Sequence, residues 1–260
     1  MNTPEDRIHL TTAPAAEGRS DSATTRINLW SSPRNISTAL MYAWRQRADT
    51  VVFDEPLYAH YLHTTGRIHP GTDEVLASQD RDGEAVVREL ILGHHDRPLV
   101  VFKQMAKHLV DLDRSFLARC SNVLLTRDPL EMLTSFQKRI PDATIDDTGF
   151  VELVEILEAT VAGGGEPIVI DAKTLLLDPP GVLLALCQRL DLPFDPVMLS
   201  WPAGPKPEDG IWAKYWYDAV HRSTGFAPWQ AKGDELLPHL VPVLEEARSL
   251  YDRLLPYAIG

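Results

Sequence analysis

Two short segments bring hydroxyl and guanidinium groups to places where an apolar run gives way to a helical pattern. The first is Ser31-Ser32-Pro33-Arg34-Asn35-Ile36-Ser37-Thr38. The opening N–H groups of a helix have no intrahelical partner and carry partial positive charge. A phosphate or sulfate docks there, with Arg34, Ser37 and Thr38 as further donors. The Gly-x-x-x-x-Gly-Lys-[Ser/Thr] pattern that wraps a nucleoside triphosphate is missing, so ATP hydrolysis is not expected. The second segment is Thr126-Arg127-Asp128-Pro129, with Ser135 eight residues after Arg127. Asp128 suits a helix cap and Pro129 the first helical position, which puts Ser135 about two turns in, where it and Arg127 can share one phosphate. Taken singly, each segment also reads as plain structure: a Ser/Thr-capped turn in the first, a solvated Arg-Asp pair in the second.

The elements around these segments alternate. Ile27-Asn28-Leu29-Trp30, Val51-Val52-Phe53, Leu99-Val100-Val101-Phe102, Val123-Leu124-Leu125 and Ile168-Val169-Ile170 are short apolar runs. Between them lie helical patterns: Ile36, Leu40 and Trp44 at i, i+4, i+8, then stretches near 83–92 and 113–118, a helix after Pro129 and one opened by Asp178-Pro179-Pro180. A long helix is expected over 235–254, delayed or kinked by Pro238 and Pro242. Continuously apolar strands alternating with helices call for a mostly parallel sheet buried on both faces, a doubly wound α/β fold. Ligands of such sheets sit at the carboxyl ends of the strands, so the loops after Trp30, Phe53, Phe102 and Leu125 should converge. Residues 1–25 lack periodicity and read as a disordered tail; residues 26–260 read as a single domain.

Composition narrows the partners. With 25 Lys and Arg against 37 Asp and Glu the net charge is −12, which argues against nucleic acid or an anionic membrane surface as partner. Any anionic ligand must be held by a few local cations. No apolar run approaches a bilayer span, the first residues do not read as a secretion signal, and two cysteines make no disulfide framework, so a reducing cytoplasm is the expected compartment. His60 and His63, and His94-His95, have no companion ligand at a metal-binding spacing, and no metal is expected. Gly163-Gly164-Gly165 reads as a helix-to-strand connection. Trp212, Tyr215, Trp216, Tyr217, Phe226 and Trp229 pack a core or wall a pocket. Nothing in the sequence sets the oligomeric state.

In this order and context the two segments resemble the sulfotransferases that use 3′-phosphoadenosine-5′-phosphosulfate (PAPS). The family's Pro-[Lys/Arg]-Ser-Gly-[Thr/Ser]-[Thr/Ser] loop matches Pro33, Arg34, Asn35, Ile36, Ser37 and Thr38, and its strand-end Arg with a Ser eight residues later matches Arg127 and Ser135. A third likeness is Ile170-Asp171-Ala172-Lys173-Thr174-Leu175, followed by Asp178-Pro179 and Leu190-Asp191-Leu192-Pro193-Phe194. The resemblance runs over roughly residues 26 to 200 and implies a P-loop-like fold. It also implies sulfuryl transfer from PAPS to a hydroxyl or amine of a small molecule, with 3′-phosphoadenosine 5′-phosphate (PAP) as product. The first loop would hold the 5′-phosphosulfate and Arg127 with Ser135 the 3′-phosphate.

Two departures matter. Ile36 stands where the family has glycine, so a positive φ is costly there and a differently shaped cradle is expected. Met105 stands where the animal cytosolic branch has its catalytic histidine, so the base must lie elsewhere. Glu55, at the end of the second strand, is the first candidate, by likeness to branches with a glutamate base; His108 is the second. Lys103 matches a family lysine expected to neutralise the bridging oxygen as the S–O bond breaks. A nucleotide-binding scaffold without catalysis and a P-loop-related small-molecule kinase stay open as other classes.

Overall fold

The computed structural model describes residues 24–231 and 233–260. Apart from its last two residues, the expected tail at 1–25 lies outside the described residues; Thr25 already opens a strand. Strands β1 (Thr25–Ser31), β2 (Thr50–Asp54), β3 (Leu99–Met105), β4 (Ser121–Thr126) and β5 (Ile168–Asp171) form one sheet in the order β2-β3-β1-β4-β5. Every pairing is parallel. The five apolar runs are the interiors of these five strands. Among the described residues, helices of eight residues or more are α1 (Ser37–Arg45), α2 (Tyr58–Thr65), α3 (Pro129–Phe136), α4 (Phe150–Ala162), α5 (Pro179–Arg189) and α6 (Val241–Leu254).

Side chains alternate across the pleat and divide the core in two. On one face Ile27, Leu29, Val101, Val123 and Ile170 pack with Leu40 and Trp44 of α1 and Leu183 and Leu186 of α5. On the other, Trp30, Phe102, Leu124 and Val169 pack with Leu153 and Leu157 of α4 and Leu244 of α6. Both faces are covered, as strands without polar alternation require.

Three elements differ from expectation in kind or start. The stretch at 113–118 is a 3₁₀ helix, Arg114–Arg119, opened by the Asp113 side chain accepting from the Ser115 N–H. The stretch at 83–92 begins as one α-turn and continues as a π-helix over Val86–Ile91. The last helix begins only at Val241: Pro238 sits in a 3₁₀ turn and Pro242 in the first helical turn, where the missing N–H breaks no bond. Gly164, at φ 76°, turns the chain from α4 towards β5, as the triple glycine suggests.

The order of the strands fixes where a ligand can sit. From central β1 the chain moves outward to β2 on one side, and β4 leads to β5 on the other, so the loops after β1 and β4 part and leave a crevice at the strand ends. The opposite end is tied by Asn122 of β4. Its Oδ1 accepts from Trp30 Nε1 at 2.9 Å and Asn28 Nδ2 at 3.3 Å, while its Nδ2 donates to the Leu117 and Cys120 carbonyls. Asn122→Ala strands the buried indole and amide donors and is expected to cost about 2–4 kcal/mol of stability, read by urea denaturation.

Candidate active site

At the end of β1 the chain turns through Arg34 and Ile36, at φ 62° and 60°, into α1. Ile36 occupies the N-cap and no side chain caps the helix, so the first N–H groups of α1 are left to a ligand. The differently shaped cradle expected from isoleucine is corrected here: Ile36 takes the left-handed backbone that glycine would take. A β-branched residue there costs about 1–3 kcal/mol, so its surroundings must hold it. The Ile36 side chain packs on the core beneath α1, Asn35 Nδ2 donates to the Leu125 carbonyl at 2.9 Å, and Arg127 Nη1 donates to the Arg34 carbonyl at 2.9 Å.

Arg34 and Arg127 thus lie side by side. Arg34 Nε reaches Ser135 Oγ at 3.2 Å, so a residue expected in the first anion site also touches the second. Arg127 also holds Glu131 at 2.7 Å. Burial first, then the Arg127 charge, depresses the Arg34 pKa, and an anion between the two guanidiniums relieves that repulsion. Below the cradle, Ser32 Oγ, Asn35 Oδ1 and Thr126 Oγ1 are buried without hydrogen-bond partners among the described residues. All the residues singled out in the sequence, from Pro33 to Thr38 with Glu55, Lys103, His108, Arg127 and Ser135, line one cavity of about 440 Å³.

Across that cavity the ends of β2 and β3 build an ionic cluster. Lys103 Nζ donates to Asp54 Oδ1 at 2.9 Å, to Glu55 Oε1, and to the Tyr217 hydroxyl at 2.7 Å. Tyr217 in turn donates to Asp54, which also accepts from the Gly210 N–H at 3.0 Å. All four side chains are buried. Burial works against the Lys103 charge, but Asp54 and Glu55 outweigh it and hold its pKa well above the usual lysine value. Burial, opposed by Lys103 and reinforced by Asp54, raises that of Glu55. Glu55 sits at φ 43°, with its N–H on the Lys103 carbonyl at 2.8 Å and its own carbonyl accepting from Tyr58 and Gln79. His108 Nε2 stands 4.0 Å from Glu55 Oε2, and burial pushes its pKa well down, so the ring is neutral.

Sequence reasoning passed over Asp54, Tyr217 and Lys107. Asp54 had a signal, an acid at a strand end beside Glu55; Tyr217, 163 residues away from it, had none beyond aromatic clustering. The aromatic region does both: Trp212 and Tyr217 are buried in a small core cluster and also line the cavity, where Phe226 and Trp229 join them, Trp229 Nε1 donating to Glu131 at 3.1 Å. His60 is structural, its two ring nitrogens meeting the Arg81 and Val110 carbonyls.

The chain is similar to known proteins in family and in fold. The family described as "Sulfotransferase domain" matches residues 25–249. Two Arabidopsis thaliana relatives carry the names branched-chain-amino-acid aminotransferase-like protein 1 and protein 2. The first is 44% identical over 202 residues, 77% of this chain and 36% of the relative. The second is 40% identical over 230 residues, 88% of this chain and 41% of the relative. The chain therefore spans about two fifths of these relatives, whose names describe much longer proteins. In three dimensions the chain is similar to the sulfotransferase domain from the curacin biosynthetic pathway, with TM-score 0.51 and 16% identity over 92% of this chain and 99% of that one. It is also similar to a sulfotransferase from Alicyclobacillus acidocaldarius, with TM-score 0.50 and 12% identity over 91% and 98%. At such identities the likeness concerns the fold.

The ionic cluster gives a direct test. Lys103→Met leaves two buried carboxylates facing each other and is expected to cost about 3–5 kcal/mol in urea denaturation at neutral pH. The carboxyls then hold protons more tightly folded than unfolded, so the deficit shrinks as the pH falls. A deficit independent of pH speaks against the repulsion.

Proposed function

This chain belongs to the sulfotransferase family, and we propose that it moves a sulfuryl group from PAPS to the hydroxyl of a small-molecule acceptor. The observation that carries this reading is the uncapped start of α1 with Arg34 and Arg127 beside it, opposite a buried carboxylate in one cavity. The residues suit a ligand with an anion at each end. Arg34, Ser37, Thr38 and the α1 N–H groups would receive the 5′-phosphosulfate, and Arg127 with Ser135 the 3′-phosphate.

PAPS supplies a sulfuryl group on a phosphate leaving group; the protein supplies position and charge. Glu55 takes the acceptor proton as the acceptor oxygen bonds to sulfur and the bond to the bridging oxygen breaks, and Arg34 meets the charge gathering on the departing phosphate. Lys103 has a different role from the one the resemblance implies: its donors are spent on Asp54, Glu55 and Tyr217, so it orients the Glu55 carboxylate instead of reaching the bridging oxygen. Burial raises the Glu55 pKa, which strengthens it as a base, and depresses that of His108, which weakens it as one.

Calorimetric titration with PAP is expected to give binding, with AMP weaker for want of the 3′-phosphate. AMP or ATP binding while PAP does not would overturn the reading. Arg127→Ala should weaken PAP by about 1.5–3 kcal/mol, the scale of a charged hydrogen bond. The base must be ionised to act, so turnover should rise with pH through a midpoint above the usual carboxylate range. Glu55→Gln should remove that limb and about 10²–10⁴ of the rate with PAP affinity kept. A limb that survives the substitution takes Glu55 out of the mechanism.

A further inference from the structure

Lys107 plays no part in this scheme, yet it lines the same cavity. It lies in the 3₁₀ turn Ala106–His108 that follows β3 and is 5% exposed. Its ammonium stands 5.1 Å from the ring centre of Tyr61 and 5.6 Å from that of Phe136. Among the described residues it makes neither a hydrogen bond nor an ion pair. The charges near it are the carboxylates of Asp147, Glu55 and Glu152 and the guanidinium of Arg67. Asp147 is occupied by Arg67 at 3.0 Å and by Thr144, and Glu55 by Lys103, while Glu152, whose buried Oε2 has no hydrogen-bond partner among the described residues, makes no ion pair with Lys107. Burial depresses the Lys107 pKa to about 8, the response of a cation whose burial outweighs the carboxylates around it.

Next to it, both ring nitrogens of His108 are enclosed without a partner, the ring being stacked on Tyr58 at 4.9 Å between centres. A buried lysine whose ammonium has two aromatic faces but no hydrogen bond, beside a buried imidazole with no hydrogen bond, is costly unless a ligand completes the pair. The two anions of the donor already have Arg34, Arg127 and Ser135, contributed by the loops after β1 and β4 and by α3. Lys107 and His108 come from the end of β3, on the Glu55 side.

We propose that the acceptor is itself anionic: its hydroxyl faces Glu55 while an oxyanion elsewhere on the molecule is held by Lys107, with a His108 N–H as second donor. The aromatic rings of Tyr58 and Phe136 suit a short apolar body between the two groups. This rests on the sulfotransfer reading, in which the Glu55 end of the cavity takes the acceptor.

The test begins with protein saturated with PAP and labelled with ¹³C in its lysines, the Lys107 signal being the one lost in Lys107→Met. Phenylacetate, phenyl phosphate and phenylacetamide are then titrated in. The Lys107 signal is expected to move saturably with an anion, the stronger of the two telling carboxylate from phosphate. The neutral amide should bind about tenfold more weakly or worse. Lys107→Arg should keep the preference for the anion, and Lys107→Met should lose it with PAP affinity unchanged. Equal binding of amide and anions, no response to any probe, or a loss of PAP affinity in Lys107→Met would overturn the proposal, the last by placing Lys107 on the donor. Failure of PAP to bind at the outset removes the sulfotransfer reading itself and this inference with it.

Discussion

The wall of the cavity opposite the cradle depends on one buried ammonium. Lys103 draws Asp54 and Glu55 from the end of β2 and Tyr217 from the C-terminal third into one cluster, and Asp54 extends it to the Gly210 backbone. Burying three charges is expensive, and their attraction repays it only when the geometry is tight and the remaining lone pairs are filled. Tyr217 does that filling, accepting from Lys103 and Trp212 while donating to Asp54. The same contacts fix the Glu55 carboxylate at the cavity wall. A base held on strand ends is placed more precisely than one on a free loop.

The net charge of −12 and the local charge of the cavity run in opposite senses. Arg34, Arg127 and Lys107 all reach the cavity, while Glu131 and Asp147 sit behind, each bound to an arginine. With low-dielectric walls such a pocket focuses positive potential inward even though the whole molecule is acidic.

Much of the architecture was legible because parallel strands buried on both faces must be largely apolar, and the five short runs, Asn28 apart, are just that. The anion cradle was legible for a local reason: strand, hydroxyl-rich turn and helix are consecutive, so Pro33 to Thr38 had nowhere else to go. Arg127 and Ser135 were legible from helix pitch and a capping Asp128, whose side chain accepts from the Leu130 and Glu131 N–H groups. What stayed hidden is what long-range packing decides. The Lys103 cluster needs Tyr217 to return across the sheet, and no spacing announces that. The surroundings of Lys107 are not legible until α2 and α3 bring Tyr61 and Phe136 over it. The arginine-serine contact at Arg34 was hidden for a subtler reason, since it depends on a φ that a non-glycine residue seldom takes.

Arg34, Ile36 and Glu55, all non-glycine, lie in the left-handed region at the ends of β1 and β2, and each faces the cavity. Strain of this kind persists only where neighbours over-determine it. For the β1 loop the neighbours belong to β4 and the turn after it: the Leu125 carbonyl receives Asn35, and Arg127 braces the Arg34 carbonyl. Arg127 is therefore both a candidate ligand for the far anion and a strut for the near cradle. The two ends of the proposed donor site are thus mechanically linked, because an anion that draws Arg127 away from its present partners also loosens the loop that presents Arg34. Ile36 adds the opposing restraint, since its side chain is seated on the core under α1 and resists any return of the loop to ordinary β conformation. Glycine at that position would relax more cheaply; isoleucine trades backbone ease for an anchor, and so makes the geometry of the cradle a property of the core beneath it.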